Sequence, residues 1–169
     1  MQHLVGRKLP EVMLPSTGGV MEMPARIKGC CVIFCYPWTG RPGHANPPDW
    51  DKIPGAHGST QQAQAYSKAY EDFRTLDVKL FGLSLQDTDW QHEFAQRSQL
   101  AFALLSDASR EFSSALDLPV FTTGGTDYLQ RLTLVARAGI IVALRFPVSH
   151  PEKDAQETLK ICKSRLNAR

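Results

Sequence analysis

The chemistry this chain could support starts at one turn, Ile53-Pro54-Gly55-Ala56-His57-Gly58-Ser59-Thr60-Gln61-Gln62-Ala63-Gln64. Pro54, Gly55 and Gly58 break regular structure, and Ser59 and Thr60 are expected to cap a helix that follows. Tyr66, Ala69, Tyr70 and Phe73 then recur at helical spacing, so one stripe of that helix faces a core. A side chain at position 59 therefore meets free backbone N–H groups at the positive end of a helix dipole. A cysteine there would be a reactive thiolate of lowered pKa. The residue is serine, whose hydroxyl ionises far less readily. His57 lies two positions upstream, but nothing beside it completes a hydrolase triad, so a serine hydrolase is not the reading.

The four cysteines, Cys30, Cys31, Cys35 and Cys162, form no Cys-x-x-Cys pair, and no histidine pair turns them into a zinc site. Cys30 and Cys31 read as core residues of a buried strand, and Cys162 as part of an apolar helix stripe. Cys35, at that strand's C-terminal end near Pro37, is the one of the four with a chance of reaching the site.

The elements that must position Ser59 follow from hydrophobic pattern and turn chemistry. Glu11 to Met23 reads as a hairpin around Pro-Ser-Thr-Gly-Gly. Cys30 to Tyr36 is an apolar run that fits a central strand buried on both faces. From Pro37 to Gly58 runs a long segment rich in proline and glycine. Trp38 and Trp50 argue against disorder; the segment reads as an ordered loop over a site, with a surface insertion anchored by the two tryptophans as the alternative. A helix from Ser59 to about Thr75 follows, then a strand from Val78 to Leu85. Gln86-Asp87-Thr88 caps a second helix to about Arg97. Phe102 to Leu105 is a short strand, and Asp107 caps a third helix to about Leu116. Arg131–Val135 and Ile140–Phe146 are strands joined by the tight turn Arg137-Ala138-Gly139. Pro151 opens a final helix whose buried stripe is Ala155, Leu159, Cys162 and Leu166. This alternation predicts a single α/β domain over 1–169, with a central mixed β-sheet flanked by helices and an N-terminal β-hairpin.

The formal net charge is +2 with no Lys/Arg-rich block, so neither nucleic acid nor an anionic membrane surface is an expected partner. The first residues lack the order of a signal peptide, and no apolar run reaches membrane-span length. Cytoplasmic localisation is the expectation.

Several of these pieces, in order, resemble the peroxiredoxins, thiol peroxidases on a thioredoxin-like fold. They are Phe34-Cys35-Tyr36-Pro37, Gly58-Ser59-Thr60-Gln61-Gln62, Phe81-Gly82-Leu83-Ser84, Leu104-Leu105-Ser106-Asp107, and Arg131-Leu132-Thr133-Leu134 followed by Gly139. The nearest branch is the bacterioferritin-comigratory-protein or Q-type group. The resemblance implies reduction of hydrogen peroxide and organic hydroperoxides by a cysteine at position 59, which becomes a sulfenic acid. It implies no cofactor and no metal. It places Arg131 beside the nucleophile, where an opposite charge favours the ionised form, and Gln62 at the family's acidic or amide position. Pro37 matches the family proline at the strand end. The family threonine would fall at position 56, which is Ala56, so Thr39 is expected to supply the hydroxyl across the insertion.

Two departures qualify the resemblance. Position 59 is serine, which implies either an engineered cysteine-to-serine form, the favoured account, or a natural homologue without peroxidase chemistry. Position 64, where this branch often has a resolving cysteine, is Gln64. A cysteine parent would then be resolved by an outside thiol such as thioredoxin, glutaredoxin or glutathione, as a monomer or small homo-oligomer. The rival expectation is a non-catalytic binding or regulatory protein that uses the 37–58 loop. A third is thiol chemistry at Cys35.

Overall fold

A computed structural model describes residues 1–167, with side chains described through 165. Five strands form the main sheet in the order β5-β4-β3-β8-β9: β3 Cys30–Cys35, β4 Val78–Ser84, β5 Ala103–Ser106, β8 Leu132–Arg137 and β9 Ile140–Arg145. β3 is central and buried along its whole length. It pairs in parallel with β4 and antiparallel with β8. A run of Cys, Val, Ile and Phe suits this place, because neither face meets water.

Two small hairpins flank the sheet. β1 Leu14–Pro15 pairs with β2 Met21–Glu22, shorter than the sequence reading but in the expected place. β6 Val120–Thr123 pairs with β7 Thr126–Leu129 around Gly124-Gly125. The sequence reading leaves this second hairpin out. The β8–β9 turn has Ala138 and Gly139 both at positive φ, the backbone that a two-residue hairpin loop requires. Gly139 also lies so close to Ala25 O that a Cβ would collide with it.

The helices are α1 Ser59–Lys68, α2 Tyr70–Thr75, α3 Thr88–Arg97, α4 Glu111–Ala115 and α5 Pro151–Asn167. The single helix expected over 59–75 is two, divided at Ala69. Asp87 caps α3 by accepting from Trp90 N at 2.8 Å. Asp107 accepts from Phe112 N and Ser113 N, although α4 starts later than expected. Pro151 opens α5, and Ala155, Leu159 and Cys162 are buried as read. The Leu166 side chain lies outside the described residues.

The alternation of β3 divides the core. Val32, Phe34 and Tyr36 pack with Ala63, Tyr66, Phe73, Phe94, Ala155 and Leu159 from α1, α2, α3 and α5. Cys31, Ile33 and Cys35 pack on the other face with Leu14, Phe112, Leu116 and Leu129. Phe34 stacks on Tyr66 with centroids 4.4 Å apart and planes 5° from parallel. Such a pair contributes about 0.5–1.5 kcal/mol beyond its burial, and it ties α1 to the central strand.

Gly58 fixes where α1 begins. Its φ is +113°, and a Cβ on it would come within 2.7 Å of Pro151 Cγ. Gly58→Ala therefore meets both backbone strain and a clash with the start of α5. We expect it to cost about 1–3 kcal/mol in urea unfolding.

Candidate functional site

Ser59 is the first residue of α1, not its cap; Gly58 holds the cap position and no side chain caps the helix. The first-turn N–H groups are thus without intrahelical acceptors. The Ser59 hydroxyl is free for another task. Its Oγ accepts from Arg131 Nη1 and Nη2, both at 3.2 Å.

Sheet register brings Arg131 there. Leu132, the first residue of β8, pairs with Cys35, the last of β3. Arg131 therefore stands at the strand end from which the chain turns into the 37–58 loop. Arg131 is buried, only 4% exposed as a residue. Nη1 also donates to Gln62 Oε1 at 2.7 Å, and Nη2 to the carbonyls of Gly55 and His57 at 3.1 and 3.2 Å. Burial lowers its pKa to about 10, against an upward pull from the Asp154 carboxylate. It is still a cation at neutral pH. A buried cation held by neutral oxygens strongly favours a negative charge at position 59.

Gln62, wholly buried one turn into α1, donates through Nε2 to Asp154 Oδ2 at 2.9 Å. Tyr66 and Thr133 hydroxyls donate to the same oxygen at 2.7 and 2.6 Å, and Arg145 Nε donates to Oδ1 at 2.8 Å. The sequence reading does not include Asp154. Its only signal was an acidic residue on the buried side of the last helix, one position from Ala155.

A cavity of about 350 Å³ opens on Ser59, lined by Trp38, Thr39, Asn46, Trp50, His57 and Thr60 among others. Thr39 is buried and fixed: Gln86 and Trp90 side chains both donate to its carbonyl, at 3.0 and 2.7 Å, and its own hydroxyl donates to Gln86 Oε1 at 3.3 Å. The 37–58 loop is ordered, as the tryptophans suggested. Trp50 packs on Trp38, Phe121 and Tyr128, and Thr123 Oγ1 donates to Pro48 O at 2.6 Å. The unforeseen β6–β7 hairpin is thus what holds the loop down.

Of the five residues expected at the site, Ser59, Arg131 and Gln62 are joined by hydrogen bonds, and Thr39 shares the Ser59 cavity. Pro37 does not line it. It is buried at the strand end and walls a neighbouring cavity of about 200 Å³ with Trp38, Leu85, Trp90 and Tyr128. The two cavities share Trp38 as a wall. A larger cleft of about 670 Å³, with Tyr70, Arg74, His92 and Phe102 along it, does not include Ser59 and is lined by neither serine nor cysteine.

Cys35 does not approach the helix start. Its side chain lies on the sheet face opposite α1, with no exposure, and burial raises its pKa strongly. The alternation of β3 decides this, since Phe34 and Tyr36 take the α1 face. Burial also raises Cys31 and Cys162 to about 12. The His57 imidazole is paired with Asp51 at 2.6 Å and is exposed. Among the described residues it makes no hydrogen bond to Ser59.

Comparison with known proteins identifies the family and the fold. The AhpC/TSA family model matches residues 53–143, more than half of the chain. The chain belongs to this family. It is a peroxiredoxin of the Q/bacterioferritin-comigratory-protein branch. It is 30% identical over 160 residues to the chloroplastic peroxiredoxin Q of Populus jackii, covering 94% of this chain and 68% of that one. Two Xanthomonas campestris structures share its fold. A bacterioferritin comigratory protein has a TM-score of 0.75 at 21% identity, covering 95% of this chain and 98% of that one. A cysteine-to-serine mutant of peroxiredoxin Q has a TM-score of 0.76 at 20% identity, covering 97% and 99%. The chain spans about two thirds of the length of the curated relatives it matches. Within this peroxiredoxin the serine occupies the helix-start position, with Arg131 directed at its side-chain oxygen.

Two outcomes are expected. All four thiols should resist a disulfide reagent at pH 8 in the native protein and react in guanidinium. Modification of Cys35 in the native state would contradict its placement. The raised thiols also set a sign for pH. Burial holds native Cys31 and Cys162 protonated to about 12, whereas unfolded thiols ionise from their ordinary value of 9.0. Their contribution is complete below pH 9 and is lost as pH rises toward 12. Cys162→Ala should flatten that alkaline decline in urea stability.

Proposed function

We propose that this peroxiredoxin carries a thiol-peroxidase pocket with serine at the attacking position, and that it is silent as a peroxidase in this form. The observation supporting this is the buried Arg131, whose two terminal nitrogens meet on Ser59 Oγ. With cysteine at 59, Arg131 and the first-turn N–H groups favour the thiolate. The thiolate attacks one peroxide oxygen. A sulfur–oxygen bond forms as the oxygen–oxygen bond breaks, and the departing oxygen takes a proton and leaves as water or an alcohol. Thr39, whose hydroxyl proton points to Gln86, presents a lone pair to the peroxide O–H. A serine hydroxyl has neither the acidity nor the oxidation chemistry for this.

The substrates read here are hydrogen peroxide and organic hydroperoxides. The second, aromatic-walled cavity beyond Trp38 offers room for an organic group. The Xanthomonas relative is described as reducing alkyl peroxides. With Gln64 where a local resolving cysteine would stand and the four thiols buried, regeneration falls to an outside thiol: thioredoxin, glutaredoxin or glutathione. Four free cysteines suit a reducing compartment such as the cytoplasm.

A second reading is a natural binding or regulatory protein on the same fold. It draws on the intact pocket beneath an ordered loop in a chain lacking cysteine at both 59 and 64. A cysteine codon at 59 in the source gene marks an engineered replacement, and a serine codon favours the second reading.

Ser59→Cys should gain turnover of peroxide with a thiol reductant. No gain over the serine form would sink the peroxidase reading. Adding Arg131→Met in that background should cost about 10²- to 10³-fold in rate, as loss of a preorganised donor does. Adding Trp38→Ala instead should shift kcat/KM toward bulky hydroperoxides over hydrogen peroxide on the order of tenfold, because it removes the wall between the two cavities.

A further inference from the structure

We infer that Asp154 is a positioning residue: its carboxylate dictates which way round the Gln62 amide sits, and so aims Arg131 at the side chain of residue 59. The inference rests on the reading of position 59 as the attacking position.

The argument is one of donors and acceptors. An ionised carboxylate can only accept hydrogen bonds. Asp154 Oδ2 takes three donors, from Gln62, Tyr66 and Thr133, and Oδ1 takes Arg145 and, at 3.5 Å, Thr158. Gln62 must therefore turn its NH₂ toward Asp154, which leaves its carbonyl facing Arg131 Nη1 at 2.7 Å. In the reverse orientation two donors would face each other at a buried position, which is costly. Gln62 Oε1 and Ser59 Oγ then share Nη1, and this holds the guanidinium plane on residue 59. Asp154, Gln62, Tyr66 and Thr133 are all wholly buried, so water cannot substitute for a lost partner. Arg145, a quarter exposed at the sheet edge, balances the buried charge from the other side.

The same logic links the identities at positions 62 and 154. An acid at 62 would set two carboxylates against each other. An amide at 154 would relieve that, because its NH₂ can donate to the acid while its oxygen still accepts from Arg145. Tyr66 and Thr133 are hydroxyls that can rotate from donor to acceptor.

The test uses the Ser59→Cys background and reads ionisation of the introduced thiol from thiolate absorbance against pH, without peroxide. Asp154→Asn removes a negative charge, which by itself would lower the thiol pKa. Loss of Gln62 orientation has the opposite sign. We expect a rise of about one unit, a tenfold loss of thiolate. No change, or a fall, overturns the inference. Gln62→Glu is expected to raise the thiol pKa and lower the thermal midpoint. Gln62→Glu with Asp154→Asn should recover the midpoint, and a double variant no better than the sum of the singles also overturns the inference. This pair still decides the matter if Asp154→Asn alone folds poorly. If the thiol pKa behaves as expected but no peroxidase activity appears, the positioning role stands and the peroxidase reading fails.

Discussion

The burial of Arg131, a cationic residue only 4% exposed, is the constraint on which the site depends. An unpaired cation there would cost several kcal/mol in desolvation. Among the described residues no carboxylate bonds it directly; oxygens come from two places and a compensating charge from a third. The 55–57 turn gives backbone carbonyls, α1 gives Ser59 and Gln62, and α5 gives the indirect charge of Asp154. The loop end, the helix start and the last helix must therefore arrive together. Gly58, pressed against Pro151, is the point where that convergence is tightest.

The second organising feature is the loop from Pro37 to Gly58. It has little regular structure beyond a short turn at Trp50–Lys52, and it is held by aromatic packing instead. Trp38 touches Trp50 and Trp90, while Trp50 reaches Phe121 and Tyr128 across the β6–β7 hairpin. Arg41 lies over the Trp90 ring at 4.6 Å. Thr39 thereby becomes a fixed wall of the Ser59 cavity, although it stands far from Ser59 in sequence.

Much of this was legible in the chain. The apolar run at Cys30–Cys35, the glycine-marked helix start and the Ala138-Gly139 turn rest on local chemistry, and local chemistry carried them. The residues Ser59, Gln62 and Arg131 could be named because their order resembles a family. What stayed hidden is nonlocal. A single acid at position 154 gives no sign that it will accept from α1, β8 and β9 at once. The β6–β7 hairpin has a Gly-Gly turn, yet its value lies in the tryptophan it meets. Cys35 was misplaced by strand parity: being near the right end of β3 matters less than which face its residue number selects.

All three tryptophans of the chain, Trp38, Trp50 and Trp90, belong to one aromatic cluster around the candidate pocket. The protein's indole fluorescence and much of its near-ultraviolet dichroism thus come from a single end of the molecule. Optical signals at those wavelengths follow the loop and its cavity, while far-ultraviolet signals follow the helices throughout. Local opening of the pocket and global unfolding are therefore spectroscopically separable in this chain without any added label.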